Sequence, residues 1–468
     1  MNVGKLNFFS VKNMVSPERL KGDLPSSKEA YGAAFNIAFP SFIEMTTQAL
    51  IGMISMGMVS ALGTEAIAAV GIVGQPRMIF MALFSSINVG VTAVIARRRG
   101  QEDEISARQC MRTGMLVSLI IGIIMAVVAF LVATPLLLFA GAMDDTIELA
   151  VSYFRITAFG LPIMALTTTI SASQRGIGNT RVTMLVNISA TAVSFIFHFL
   201  LINGNFGFPA LGVDGAAYAV VIGQCVGLTL ALLSILDKRS YLAVKISDNW
   251  RFNPQTFLSI IKISGGNLIE QLFLRIGFFS YAIIIARLGT NPLAAHNIAQ
   301  QMMHMSFTFA DGIGVAITAL VGRYLGAKRP DLSIMYGKIG QRMALVTSVF
   351  LVVFTITGRY WFAARFSEDA DIIAMVARLL IILALVMPIQ TSQLVMASCL
   401  RGAGDTRFVA LTMLITVAIA RPTAAALFVY VLGLGLEGAW LAIIVDQSMR
   451  LILLTLRFSR AKWTKIKV

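Results

Sequence analysis

Charge is what this 468-residue chain has least of: Asp, Glu, Lys and Arg together make up only 13% of it. Soluble domains carry about 25%. With 57% apolar side chains, there is more hydrophobic surface than ordinary water-soluble cores can hide, and the chain reads as a membrane protein. Cysteine is scarce. Cys110, Cys225 and Cys399 are isolated, too few to staple a chain of this length, which excludes a disulfide scaffold. No glycine triplet repeats, so a collagen-like fibre is excluded, and long runs of Ile, Leu, Val and Phe oppose disorder. The sequence also lacks a phosphate-cradling Gly-rich Lys-Ser/Thr loop, a His-Glu-x-x-His and any soluble insert of ATPase size. It therefore points to no enzyme, no bound cofactor and no metal site, and to an ion gradient rather than ATP as the energy source.

Long apolar runs are what the chain does have. A helix rises 1.5 Å per residue, so each crossing of the hydrocarbon takes about 20 mainly apolar residues. Twelve such segments can be cut, near 33–58, 67–95, 113–139, 146–170, 182–202, 212–236, 258–285, 293–320, 338–357, 371–396, 408–430 and 437–456. The polar stretch before the first has no small-residue cleavage site, so no cleaved signal peptide is expected. The net charge of +15 could suggest a nucleic-acid partner, but its distribution excludes one. Lys5, Lys12, Arg19, Lys21 and Lys28 precede the first span, Arg97, Arg98, Arg99, Arg108 and Arg112 flank the next connection on that side, and the same face collects Lys238, Arg239, Lys245, Arg251, Arg323, Lys328, Arg329 and the tail through Lys467. The opposite connections hold only Arg287, Arg359 and Arg365. The positive-inside rule then puts both termini in the cytoplasm, and the expected location is a cell membrane crossed many times, a bacterial inner membrane.

Sliding the chain on itself by 226 residues superposes its halves. Leu62-Gly63-Thr64 meets Leu288-Gly289-Thr290, Arg97 and Gly100 meet Arg323 and Gly326, Pro162 meets Pro388, and Arg175-Gly176-x-Gly178-x-Thr180-Arg181 meets Arg401-Gly402-x-Gly404-x-Thr406-Arg407. Six spans return the chain to its starting side, so the halves are parallel repeats, an architecture on which alternating access is built. The expected organisation is a cytoplasmic segment 1–32, an N-lobe 33–236, a cytoplasmic connector 237–257, a C-lobe 258–456 and a basic tail 457–468. In the repeated glycine motif a tight turn leaves Arg175 and Arg401 among lipid headgroups, or else these arginines lock a gate.

These residues resemble those of the multidrug and toxic compound extrusion family, MATE. The resemblance is carried by the repeated Leu-Gly-Thr-x-x-x-Ala-Ala at Leu62 and Leu288, by Leu320-Val321-Gly322-Arg323-x-Leu325-Gly326-Ala327, by Leu400-Arg401-Gly402-Ala403-Gly404-Asp405-Thr406-Arg407 and by Gly207-Phe208-Pro209-Ala210-Leu211-Gly212-Val213. It runs in order from about residue 33 to 456. It implies an all-α fold of twelve membrane helices in two six-helix lobes forming a V, and export of organic cations and other amphiphiles in exchange for sodium ions or protons. Where many members carry an aspartate on the first helix this chain has Ser55; where another branch carries a glutamate and an aspartate it has Leu274 and Gln390. Neither ion site of the family is carried over.

Other intramembrane polar groups then become the candidates for ion or substrate binding, because a carboxylate at mid-bilayer is costly unless it faces a cavity or a partner. Glu44 and Glu270 stand one repeat apart, each four residues after a helix-bending position, Pro40 or Gly266. Asp311 sits in the eighth span, and Arg275 points off the Glu270 face, within reach of a neighbouring helix and Asp311. Gln48, Gln75, Asn88 and Gln301 are amides that either orient an amphiphile or join helices. Asp446 and Arg450, four apart, read as a local ion pair. His198, His296 and His304 read as packing residues, and Met53, Met56, Met58, Met302, Met303 and Met305 as soft surface for a ligand or a core. The leading reading is a monomeric secondary antiporter, with amphiphilic small molecules and membrane lipids as its partners. The alternatives are a flippase for lipid-linked precursors and a non-transporting scaffold or channel.

Overall fold

The computed structural model describes residues 8–244, 250 and 252–466; Lys5, Lys245, Arg251 and Lys467 of the basic face lie outside the described residues. Among the described residues there is no strand, and twelve helices are long and apolar enough to cross a membrane. In chain order they are α1 (Ser27–Ser60), α2 (Thr64–Gly100), α3 (Glu104–Leu131), α4 (Ile147–Gly176), α5 (Thr180–Asn203), α6 (Gly212–Leu236), α7 (Pro254–Ala286), α8 (Thr290–Gly326), α9 (Pro330–Ala363), α10 (Ala370–Gly402), α11 (Thr406–Val431) and α12 (Gly435–Ser459). An apolar chain closes all its backbone hydrogen bonds within one segment only as a helix, which is why hydrocarbon selects this element. Spans of 24 to 37 residues are about 36 to 55 Å long, so the longer ones carry their polar ends beyond a hydrocarbon core of about 30 Å.

The chain forms two compact units, one of Ile43–Ser264 and one of Met1–Phe42 with Gly265–Val468. Both divisions fall inside a helix, close to Pro40 in α1 and Gly266 in α7. In the first unit α4 packs against α2, α3 and α6, around buried Phe80, Phe84, Tyr153, Phe154 and Met164. In the second, α10 packs against α8, α9 and α12, around Met302, Met303, Leu379, Leu383, Met387 and Trp440. Those two methionines are therefore core, whereas Met53 is 64% exposed. The central helices α4 and α10 are repeat equivalents, and both bury small residues near their C-terminal ends, Ser171, Ala172, Ser173 and Gly176 in α4 and Ala397, Ser398 and Gly402 in α10, which let backbones approach where hydrophobicity alone drives no association.

One span departs from regular helix. α11 opens into π-helical turns at Leu414–Ala420 and again at Leu427–Val431, with Arg421–Ala426 between them. Such widened turns are rare and often lie at functional sites; here the segment between them begins with the buried Arg421.

Candidate functional site

The repeated glycine motif ends the central helices and aims their last arginines. After α4, Gly178 takes a left-handed conformation, φ +86°. The Asn179 N–H then reaches back to the Gln174 carbonyl, and that of Gly178 to the Arg175 carbonyl. After α10, Gly404 has the same φ, with Asp405 bonding back to Leu400 and Gly404 to Arg401. This is the paired-bond helix stop that glycine makes available, and it leaves each arginine at the negative end of a helix dipole. The first glycine is needed for contact: a Cβ on Gly176 would lie 2.9 Å from the Thr92 carbonyl oxygen, and one on Gly402 2.5 Å from that of Thr318. Central helix and neighbour are thereby pulled together, and the arginines turn inward. Of the two roles the motif left open, headgroup anchor or gate lock, the geometry adds an ion pair within each unit.

Each arginine meets a carboxylate. Arg401 donates from Nη2 to Glu270 Oε1 at 2.6 Å and from Nε to Oε2 at 3.3 Å. Glu270 is fully buried. In the first unit Arg175 Nη1 stands 3.4 Å from Glu44 Oε1, and that carboxylate also accepts from Asn187 Nδ2 at 2.7 Å and from the Thr183 hydroxyl at 3.1 Å. Both pairs span 131 residues, since acid and arginine repeat at one offset. The environments differ. The repeat counterparts of Thr183 and Asn187 are Val409 and Met413, so the two neutral donors that hold the first-unit acid have no counterpart at those positions in the second unit.

Asp311 is the carboxylate left over. It is exposed although it lies well inside α8, and among the described residues it makes no ion pair or hydrogen bond. The guanidinium whose charge bears on it is that of Arg401, in the place where the sequence pointed to Arg275, which is exposed on α7. Arg401 thus stands between one sealed and one open carboxylate. Gln48, Gln75 and Gln301 are exposed on their helices. Asn88 belongs to a polar cluster, where its carbonyl accepts from the Thr169 hydroxyl at 3.2 Å and Thr169 also bonds Ser118. Gln390 is buried and donates weakly to the Met303 carbonyl, 3.5 Å.

A charge cluster in the second unit went unread in the sequence. Asp446 does pair with Arg450, at 2.6 Å, but its other oxygen is taken by Arg421, whose Nε lies 2.8 Å away. All three are buried, and Arg421 is covered by the rings of Phe278 and Tyr281. The available signal was a lone arginine in an apolar span, Ala420-Arg421-Pro422. The charge of Glu270 also bears on Arg450, so three arginines and three carboxylates alternate through this unit. His296 packs edge-on between Tyr281 and Trp440, and His198 bonds the Ser194 carbonyl. Among the described residues no group of His, Cys, Asp and Glu is placed to hold a metal.

Comparison with known proteins agrees with this architecture. The model of the MatE family matches residues 40–200 and 268–426, one match per repeat. The uncharacterized transporter YisQ of Bacillus subtilis is 28% identical over 92% of this chain and 94% of its own. The probable multidrug resistance protein NorM of Thermotoga maritima is 26% identical over 92% of each, and the multidrug resistance protein PmpM of Pseudomonas aeruginosa 26% over 91% and 90%. Among solved structures, a multidrug resistance MATE family transporter in an outward-facing conformation superposes with a TM-score of 0.86 at 22% identity, covering 95% of this chain and 98% of the other. A MOP superfamily transporter from Pyrococcus furiosus gives 0.86 at 22% identity, over 98% and 99%. Two matched repeats, twelve spans and a shared fold over nearly the whole length leave one conclusion: this chain belongs to the MatE family and is a MATE family transporter.

Proposed function

We propose that this transporter is a secondary antiporter that exports amphiphilic or cationic small molecules while Na+ or H+ enters, acting as a monomer in a cell membrane with both termini in the cytoplasm. The observation that carries the coupling is the pairing around Arg401: Glu270 is buried against it, while Asp311 lies open in its field without an ion pair or hydrogen bond among the described residues. A carboxylate of that kind, deep in a span, is where a proton or cation is taken up. When Asp311 is occupied its negative charge is cancelled, and Arg401 is drawn wholly to Glu270; when it empties, Arg401 is shared. Glu44 and Arg175 form the counterpart in the other unit, where Asn187 and Thr183 hold the acid more firmly. The multidrug resistance names of the NorM and PmpM relatives support the substrate class, and the crowding of basic residues on one face supports the orientation.

The test is transport in liposomes under separately imposed sodium and proton gradients, with labelled organic cations. The wild-type chain is expected to accumulate substrate under one of the gradients, and Asp311→Asn to lose at least tenfold of that accumulation while still binding substrate. Gradient-driven accumulation unchanged in both Asp311→Asn and Glu270→Gln would reject this site as the coupling centre.

A further inference from the structure

At the basic end of the second unit the segment before α1 folds back onto the protein. Val11, Met14 and Val15 are buried against Leu320, Leu332, Met335 and Ile339, and the backbone N–H of Lys21 bonds the Asp331 carboxylate at 3.2 Å. This strap closes one side of a cavity of about 510 Å³ between α1 and α9, whose walls include Phe9, Lys28, Tyr31, Phe35, Arg342 and Val346. The cavity has two ends of different chemistry.

Its polar end is short of acceptors. Arg342 Nη1 and the Tyr31 hydroxyl are both buried at the atom level and find no hydrogen-bond partner among the described residues. Further positive charge lies nearby, since Lys338 lies in the field of both Arg342 and Arg19, and Lys28 stands at the rim. The acids close by are engaged: Glu29 accepts from the Ser26 N–H at 3.0 Å, and Asp331 is held by Arg329 and Lys21. A group that accepts several hydrogen bonds and carries negative charge is what this end lacks. Its apolar end opens onto a strip of exposed hydrophobic side chains, Phe35 and Phe39 stacked on α1 and Val346, Phe350 and Val353 on α9. The last three follow helical spacing along one face, where an acyl chain can lie.

We propose that this cavity binds one anionic phospholipid. Its phosphate accepts from Arg342, Tyr31 and Lys28, and one acyl chain runs along the α1 and α9 strip. Bound there, the lipid bridges the strap, α1 and α9, and so steadies the first part of α1 within the unit to which it belongs. This reading is independent of the transported substrate and of the coupling ion.

The full-length chain, purified in mild detergent and given phosphatidylglycerol, phosphatidylcholine or inorganic phosphate, decides the matter by native mass spectrometry and thermal unfolding. One phosphatidylglycerol per chain is expected to resist detergent washing, at least tenfold better than phosphatidylcholine, and to raise the unfolding temperature. Lys28→Gln with Arg342→Gln should abolish that preference, and Val346→Trp, which fills the acyl path and leaves the charges alone, should weaken retention by a similar factor. Equal retention of phosphatidylcholine, retention unchanged in both variants, or inorganic phosphate displacing the lipid and stabilising as well as it does, would each overturn the proposal; the last would identify a free-phosphate site instead.

Discussion

Replacing Glu270 by Gln and Glu44 by Gln separates a carboxylate held by charge from one held partly by neutral donors. In the second unit Glu270 has no exposed side-chain surface and Arg401 only 17%, with two donor contacts, so Glu270→Gln strands a largely buried guanidinium. Removing one member of such a pair costs about 3–5 kcal/mol. In the first unit the arginine contact is long, 3.4 Å. The amide oxygen introduced by Glu44→Gln can still accept from Asn187 and Thr183, so that substitution should cost nearer about 1 kcal/mol. The double variant Glu270→Gln with Arg401→Gln removes the stranded charge and allows the two amides to bond each other. It should be less destabilised than the sum of its single variants by about 2 kcal/mol or more. Unfolding in mixed micelles titrated with a denaturing detergent, at fixed pH and without added sodium, supplies the free energies. Equal losses in Glu44→Gln and Glu270→Gln, or strict additivity in the double variant, would refute the argument that charge dominates only the second pair.

Other consequences follow from the same geometry. Asp446→Asn leaves Arg421 and Arg450 buried without their shared carboxylate, whereas Arg450→Met leaves one neutral pair; the yield of monodisperse protein should collapse in the first and largely survive in the second. Single cysteines at Asp145 and Glu368 should react with an impermeant thiol reagent from outside the cell, and cysteines at Lys238 and Lys328 only after permeabilisation; a consistent reversal would defeat the proposed orientation. At the start of α3, Asp103 accepts from the Ser106 N–H at 3.0 Å, and its hydrogen bonds to Ser106 hold its carboxyl below the ordinary range. Asp103→Ala should therefore cost about 1 kcal/mol at neutral pH. Because the folded-state value is the lower one, that difference is present above the ordinary carboxylate value of about 3.9 and disappears as pH falls through the folded-state value.

Whatever depends on period and composition was legible in the amino acids alone. Hydrocarbon admits only helices that satisfy their own backbone, so apolar runs of sufficient length located the twelve spans directly, and the 226-residue offset exposed the two repeats through ordered matches such as Leu62 with Leu288 and Arg175 with Arg401. The same offset placed Glu44 and Glu270 as equivalent acids. It did not join them to their arginines, 131 residues away, because the direction of a side chain at a helix end depends on the turn that stops the helix and on how closely its neighbour packs. The left-handed Gly178 and Gly404 and the contacts of Gly176 and Gly402 decide that, and they turn the arginines inward where a headgroup position was equally compatible with the motif. Which carboxylate stays open is likewise a matter of packing: Asp311 and Glu270 look alike as acids within apolar runs, and only the arrangement of α7, α8 and α10 seals one and exposes the other. Arg421 shows the same division. Its place in an apolar span was visible, but its partner comes from α12, and no periodicity within a single helix records a contact between two of them.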